Sequence, residues 1–255
     1  MKGVPATLRN ALSEALSNRA GLVSAMAVMG VNDLVWIAFW VLFFRRVGRI
    51  HGWDSHRILL LLAVITTSAG TTLGLLANAR RIGSMAVEGE LDAVLSLPVA
   101  PLAYLLVRRV EPTNLGDMAF GITLFAVAGS PTLERAAIFL GVVGAAATLM
   151  TGFLVLTGSM AFFVGRSEGG ELGFQAILLL GSYPVDVFDG VAKVVLYTVV
   201  PAAFVSSVPA HLIDSFDLST AGWLAGIAGL FALGGWATFT AGLRRYTSGS
   251  VWTRA

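Results

Sequence analysis

The sequence predicts an all-α polytopic membrane protein with about six transmembrane helices. An amphipathic helix precedes them at the membrane interface, and a helical cytosolic segment lies between the second and third spans. Three observations predict this class. Of 255 residues, 56% are hydrophobic and only 13% charged, and the mean hydropathy is +0.80. Soluble domains carry about a quarter charged residues, so this chain lacks the charge to cover a water-facing surface. Apolar runs recur at close to the ~20 residues needed to cross a bilayer. Lysine and arginine are also unevenly distributed among the connections between those runs. A net charge of +2 gives no footprint for a polyanion, so no nucleic-acid partner is expected. The chain has no cysteine, which excludes disulfides, a thiol nucleophile and a cysteine metal site.

Residues 1–20 lack the apolar core and small-residue cleavage site of a signal peptide. Leu8, Ala11, Leu12, Ala15 and Leu16 repeat at helical spacing, with Arg9, Asn10, Ser13, Glu14 and Ser17 opposite. This pattern predicts an interfacial helix, either a simple anchor or one that also touches a cytosolic partner. The apolar transmembrane body follows over 21–243, with predicted spans at 21–44, 58–79, 115–129, 136–164, 185–205 and 221–243, and a polar tail at 244–255. The stretch LGFQAILLLGSYP ahead of the fifth span is also apolar and reads as interfacial or partly inserted. Gly70 and Gly74, and again Gly222 and Gly226, form GxxxG pairs, and Gly141, Gly144, Gly152 and Gly158 dot the fourth span. Such residues let helix backbones approach closely in lipid, within one subunit or between subunits.

With the N-terminus in the cytosol, twelve of the seventeen basic residues fall inside. The five outside are Arg45, Arg46, Arg49, Arg57 and Arg135, and Lys193 is counted inside. The loop RRVGRIHGWDSHR fits that orientation badly, whereas the loop at 206–220 has Asp214 and Asp217 and no basic residue. Both termini and the longest polar connection, 80–114, are therefore expected in the cytosol. Within that connection, AVEGELDAVLSLPVAP predicts a short helix over 84–97, with acids on one side and leucines on the other. Pro98 and Pro101 are expected to end it. The segment is either a solvated loop helix or a docking helix for a soluble partner.

Chemistry is sparse. No G-x-x-x-x-G-K-[ST] is present, and His51, His56 and His211 form no metal or zincin pattern. Ser159 has no intramembrane histidine to activate it. Asp33, beside Asn32, is the one acid expected near mid-membrane, for packing or as part of a path or subunit contact. Asn114 and Asp117 are expected to cap the third span.

Four blocks together carry a resemblance. Gly52-Trp53 follows the first span. In EGELDAVLSLPVAPL, Gly89, Leu91, Asp92, Leu95 and Pro98 match a Gly-x-Leu-Asp-x-x-Leu-x-x-Pro pattern. NLGDMAFG opens the third span. SYPVDVF and VVPAAFVSSVPA supply Tyr183, Pro184, Pro201 and Pro209. In their order and spacing these resemble the membrane permeases of type-2 ABC exporters, in a six-span branch of that family. Ser96 departs from the pattern, since relatives often carry a basic residue before the proline. The resemblance implies a half-transporter that pairs with a second permease, identical or homologous, and with cytosolic ATPase subunits. ATP and Mg²⁺ are expected on those subunits, with no cofactor in this chain. It also implies a coupling helix between the second and third spans, with Glu88, Gly89, Glu90, Leu91, Asp92, Leu95 and Pro98 at the ATPase contact. The competing readings are a secondary transporter or channel, which needs polar groups converging at mid-membrane, and a membrane-embedded enzyme.

Overall fold

The computed structural model describes residues 3–165 and 168–246. Lys2, Arg166 and Arg254, and the tail beyond Tyr246, lie outside the described residues. Among the described residues every named element is helical. The amphipathic helix forms as α1 (Gly3–Ser17). Asn18 then accepts a hydrogen bond from the Gly21 amide and caps α2 (Arg19–Val47). A tight loop follows, with Gly48, His51 and Gly52 at positive φ. Asp54 caps α3 (Ser55–Ala69) by accepting from the Arg57 amide.

The apolar middle of α3 is buried at Ile58 and from Leu60 to Ile65, at the centre of the bundle. It continues into a π-helical turn, Gly70–Leu75, and then a 3-10 segment, Ala77–Arg81. The polar connection contains α4 (Ile82–Val87), α5 (Leu91–Leu95) and α6 (Pro101–Val107). α7 (Pro112–Ala128) packs between α2 and α3, and α8 (Leu133–Ser159), capped by Thr132, packs on α3. The short α9 (Ala161–Val164) and α10 (Gly169–Gly181) lead to α11 (Gly190–Thr198), α12 (Ala202–Val205) and α13 (Ser207–Asp214). α14 (Leu218–Leu243) closes the fold along α8.

Among the described residues, four helices are long and apolar enough to cross a membrane: Arg19–Val47, Ser55–Leu75, Leu133–Val164 and Leu218–Leu243. The third expected span is the shorter α7. The fifth expected span, 185–205, is not a continuous helix. Pro184, Gly190 at φ 58° and Pro201 divide it into a 3-10 turn, α11 and α12. The continuous apolar helix in that region is α10, built from the stretch expected to be interfacial or partly inserted.

The glycine pairs also separate. Gly70 and Gly74 press on α7 at Met118 and Leu115, so this pair packs within the chain. Gly152 faces α14 and Gly158 faces Gly83 in α4. A Cβ added at Gly141, Gly144, Gly222 or Gly226 would meet nothing outside its own helix within 4 Å among the described residues.

Candidate functional site

The acidic segment is built differently from one amphipathic helix. Gly89 takes φ 78°, a left-handed conformation that breaks the expected 84–97 helix into α4 and α5. Pro98 follows the end of α5. Pro101 starts a helix instead of stopping one, because at the first position of α6 its missing N–H costs nothing. Leu91 is 1% exposed and packs with Ile82, Met85, Val94 and Leu105. Leu95 and Leu97 are 41% and 40% exposed. Leu91 and Leu95 therefore do not present one common surface, although they stand four apart. The exposed face consists of Glu88, Asp92, Leu95, Leu97 and Pro98. Glu90 turns back to Arg81 at 3.6 Å, and Asp92 accepts a hydrogen bond from the Tyr246 hydroxyl at 2.8 Å. Asn78, fully buried, donates to the Leu105 carbonyl and ties α6 to the end of the second span. Behind it the apolar stripe of α1 packs on α6, with Ala11 buried.

A second assembly lies in the middle of the apolar helices. Asp33 on α2 is 7% exposed, and so is Asp117 on α7. Both carboxyl groups line one cavity of about 200 Å³ between α2, α3, α7 and α10. Asn32 hydrogen-bonds to the Asp33 side chain. Among the described residues, Oδ2 of Asp33 and Oδ1 of Asp117 have no hydrogen-bond partner. Thr66 and Ser182 also line the cavity, and both hydroxyls donate to carbonyls of their own helices, Leu62 and Leu178.

This corrects two expectations. Asp33 is not a lone acid, and Asp117 is not in the first turn of its helix. α7 begins at Pro112, three residues earlier than expected, so Asp117 falls in the second turn and faces inward. Pro112, a residue favoured at a helix start, was the signal that could have placed it. Close approach brings the acids together. A Cβ on Gly116, next to Asp117, would lie 2.9 Å from the Met26 Cα of α2.

A third cluster closes one end of the bundle. Trp53 is fully buried, donates Nε1–H to Asp186 at 3.1 Å and meets the His211 ring edge-on at 4.8 Å. Lys193 pairs with Asp186 at 2.9 Å, and Arg57 pairs with Asp214 at 2.8 Å. Burial pushes the Asp186 carboxyl up. The hydrogen bonds from Lys193 and Trp53, with the charges of Lys193 and His211, outweigh burial and hold it below the usual carboxylate range. Lys193 thus sits at the Arg57 end of the molecule, which corrects its assignment to the opposite side. The basic distribution becomes eleven against six.

The structure brings two of the sequence blocks into contact, Gly52-Trp53 and SYPVDVF, through Trp53 and Asp186. It also sets NLGDMAFG against the centre of the second span. No curated protein and no solved structure matches the chain. The model of the family described as ABC-2 family transporter protein matches residues 31–250, which takes in all of these assemblies and leaves only α1 and the start of α2 before it. By that match the chain belongs to the ABC-2 transporter family.

Proposed function

We propose that this chain is the membrane permease of an ATP-driven exporter, with ATP and Mg²⁺ bound by separate cytosolic ATPase subunits. Two permeases, identical or homologous, would form the translocation path in the cell membrane. Six crossings serve that role here: the four long helices, α7 and the short α10. The positive-inside bias supports cytosolic termini and a cytosolic 76–111 connection. The sparse charge of the helices favours an apolar or amphipathic cargo.

The observation that carries this reading is the division of labour in α4 and α5. Leu91 and Val94 anchor the segment in the core, while Leu95, Leu97, Glu88 and Asp92 present an apolar patch with an acidic rim to the solvent. Such a surface suits a soluble partner that offers a hydrophobic cleft with basic edges. In a transporter family this is the place to receive ATPase motion.

The test is pull-down of the ATPase on tagged permease, with ATP turnover of the recovered complex. Leu95→Ala with Leu97→Ala should release the ATPase or abolish cargo-stimulated hydrolysis, since a packed apolar anchor is worth on the order of 2 kcal/mol. Glu88→Gln should be tolerated, because exposed charge pairs contribute roughly 0–1 kcal/mol. Full binding and full stimulated turnover by the double variant would remove this surface from the coupling contact.

One observation favours a second reading, an ATP-independent transporter: the convergence of Asp33 and Asp117 between the helices. Transport by the chain alone in proteoliposomes, without ATPase, would decide for it.

A further inference from the structure

The cavity at Asp33 and Asp117 carries an inference about ligand chemistry. Buried carboxylates are costly, and a buried acceptor without a donor is more so. Here two buried carboxyl groups line one cavity, and each keeps an oxygen with no hydrogen-bond partner among the described residues. Among the described residues no lysine, arginine or histidine lines the cavity. The Thr66 and Ser182 hydroxyls have already given their hydrogens to helix carbonyls, so toward the cavity they offer lone pairs. The remaining wall is apolar and partly aromatic, including Trp36, Phe120 and Leu178. Trp36 is held edge-on by Tyr183 at 6.1 Å. What is missing from this site is a positive group with several N–H donors.

We infer that the Asp33–Asp117 cavity binds the protonated amine of an amphipathic cation. The ammonium donates to the free oxygens of both carboxylates and to the hydroxyl oxygens of Thr66 or Ser182. The carbons next to it lie against Trp36 and Phe120, where an aromatic face adds attraction for a cation. The cavity, about 200 Å³, is smaller than the ~300–1,000 Å³ of sites that enclose a whole drug-sized molecule. It takes a head group and its first carbons. Asn32 and Leu179 on its rim are exposed, so a longer tail leaves beside α2 and α10 into the bilayer. This deepens the permease reading, on which the role of such a cation as transported cargo rests. Binding itself needs no ATPase.

The experiment uses the full chain in lipid nanodiscs, without ATPase or nucleotide, and tritiated 2-phenylethylamine as probe in a scintillation proximity assay. Saturable binding, displaced by dodecylamine and not by 2-phenylethanol or 3-phenylpropionate, is the expected result. Asp33→Asn and Asp117→Asn should each weaken binding about tenfold or more, because each removes one charge-assisted hydrogen bond, while elution as a single species is retained. Asp33→Glu should keep most of it. Equal displacement by 2-phenylethanol would overturn the proposal in favour of an apolar pocket. Displacement by millimolar sodium chloride at constant ionic strength would overturn it in favour of an inorganic cation site. Undiminished binding by both asparagine variants would overturn the location. The comparison of amine with alcohol needs no variant, so the proposal stays testable if a substitution disturbs folding. Failure here leaves ATPase docking untouched, and failure of ATPase docking leaves this assay unchanged.

Discussion

At residue scale, Leu91 and Leu95 have the same side chain and opposite tasks. Leu91 is enclosed by Ile82, Met85, Val94 and Leu105, so Leu91→Ala leaves a cavity and should destabilise the chain by about 2–5 kcal/mol. Leu95→Ala should lower stability by no more than about 0.5 kcal/mol, since its side chain is 41% exposed. Thermal unfolding of the two purified variants measures the difference. Asp186 gives a second residue-level prediction. Its carboxyl is held below the ordinary value of about 3.9 by Lys193, Trp53 and His211 against the pull of burial. A carboxyl depressed in the folded state stabilises fully above that ordinary value, and the stabilisation is lost as pH falls through the folded value. Asp186→Asn should therefore melt at a lower temperature than the parent at neutral pH. The gap should persist down to the ordinary carboxylate value of about 3.9 and close only as pH falls below it. A pH-independent gap would show that packing, and not the carboxylate charge, holds the Trp53 cluster.

At the scale of elements, turns decide what the helices present. Gly89 at φ 78° turns the chain between α4 and α5, with Leu91 inside and Leu95 outside. An L-side chain there costs about 1–2 kcal/mol. Gly89→Ala should therefore destabilise by that amount and weaken ATPase binding, with Gly89→Asn milder because asparagine tolerates the left-handed region. Denaturation and pull-down on the same preparations check both effects. The expectation of one helix over 84–97 failed because its apolar spacing was legible while the left-handed turn was not. A glycine inside an amphipathic pattern reads either as a tolerated weak point or as a turn, and the packing of Leu91 and Val94 chooses. The same ambiguity misplaced the fifth span. Residues 169–181 and 185–205 are both apolar, but only the first is free of proline.

At the scale of the whole molecule, the prediction concerns sidedness. The chain has no cysteine, so single cysteines report without background. Glu88→Cys and Ser219→Cys both lie at exposed positions, on opposite sides in the proposed orientation. An impermeant maleimide on intact cells should label position 219 and not position 88, and both after permeabilisation. Labelling at 88 in intact cells would invert the molecule. With Lys193 moved to the Arg57 end, the basic bias is weaker than the bare sequence suggested, so this measurement bears more weight.

Helical class, membrane character and most helix positions were legible in the sequence, because they depend on composition and on periodicity along one segment. The family was legible too, since its blocks are read in order along the chain. The tertiary structure alone decided which side chains meet. Asp33 and Asp117 stand 84 positions apart. They share a cavity only because Gly116 lets α7 lie against α2 and because Pro112 starts α7 early enough to turn Asp117 inward. Trp53 and Asp186 are likewise joined across the bundle by a chain path that breaks at prolines. Hydropathy measures the solvent each segment prefers. Contact between two segments depends on backbone approach and helix phase, which a pattern within either segment does not contain.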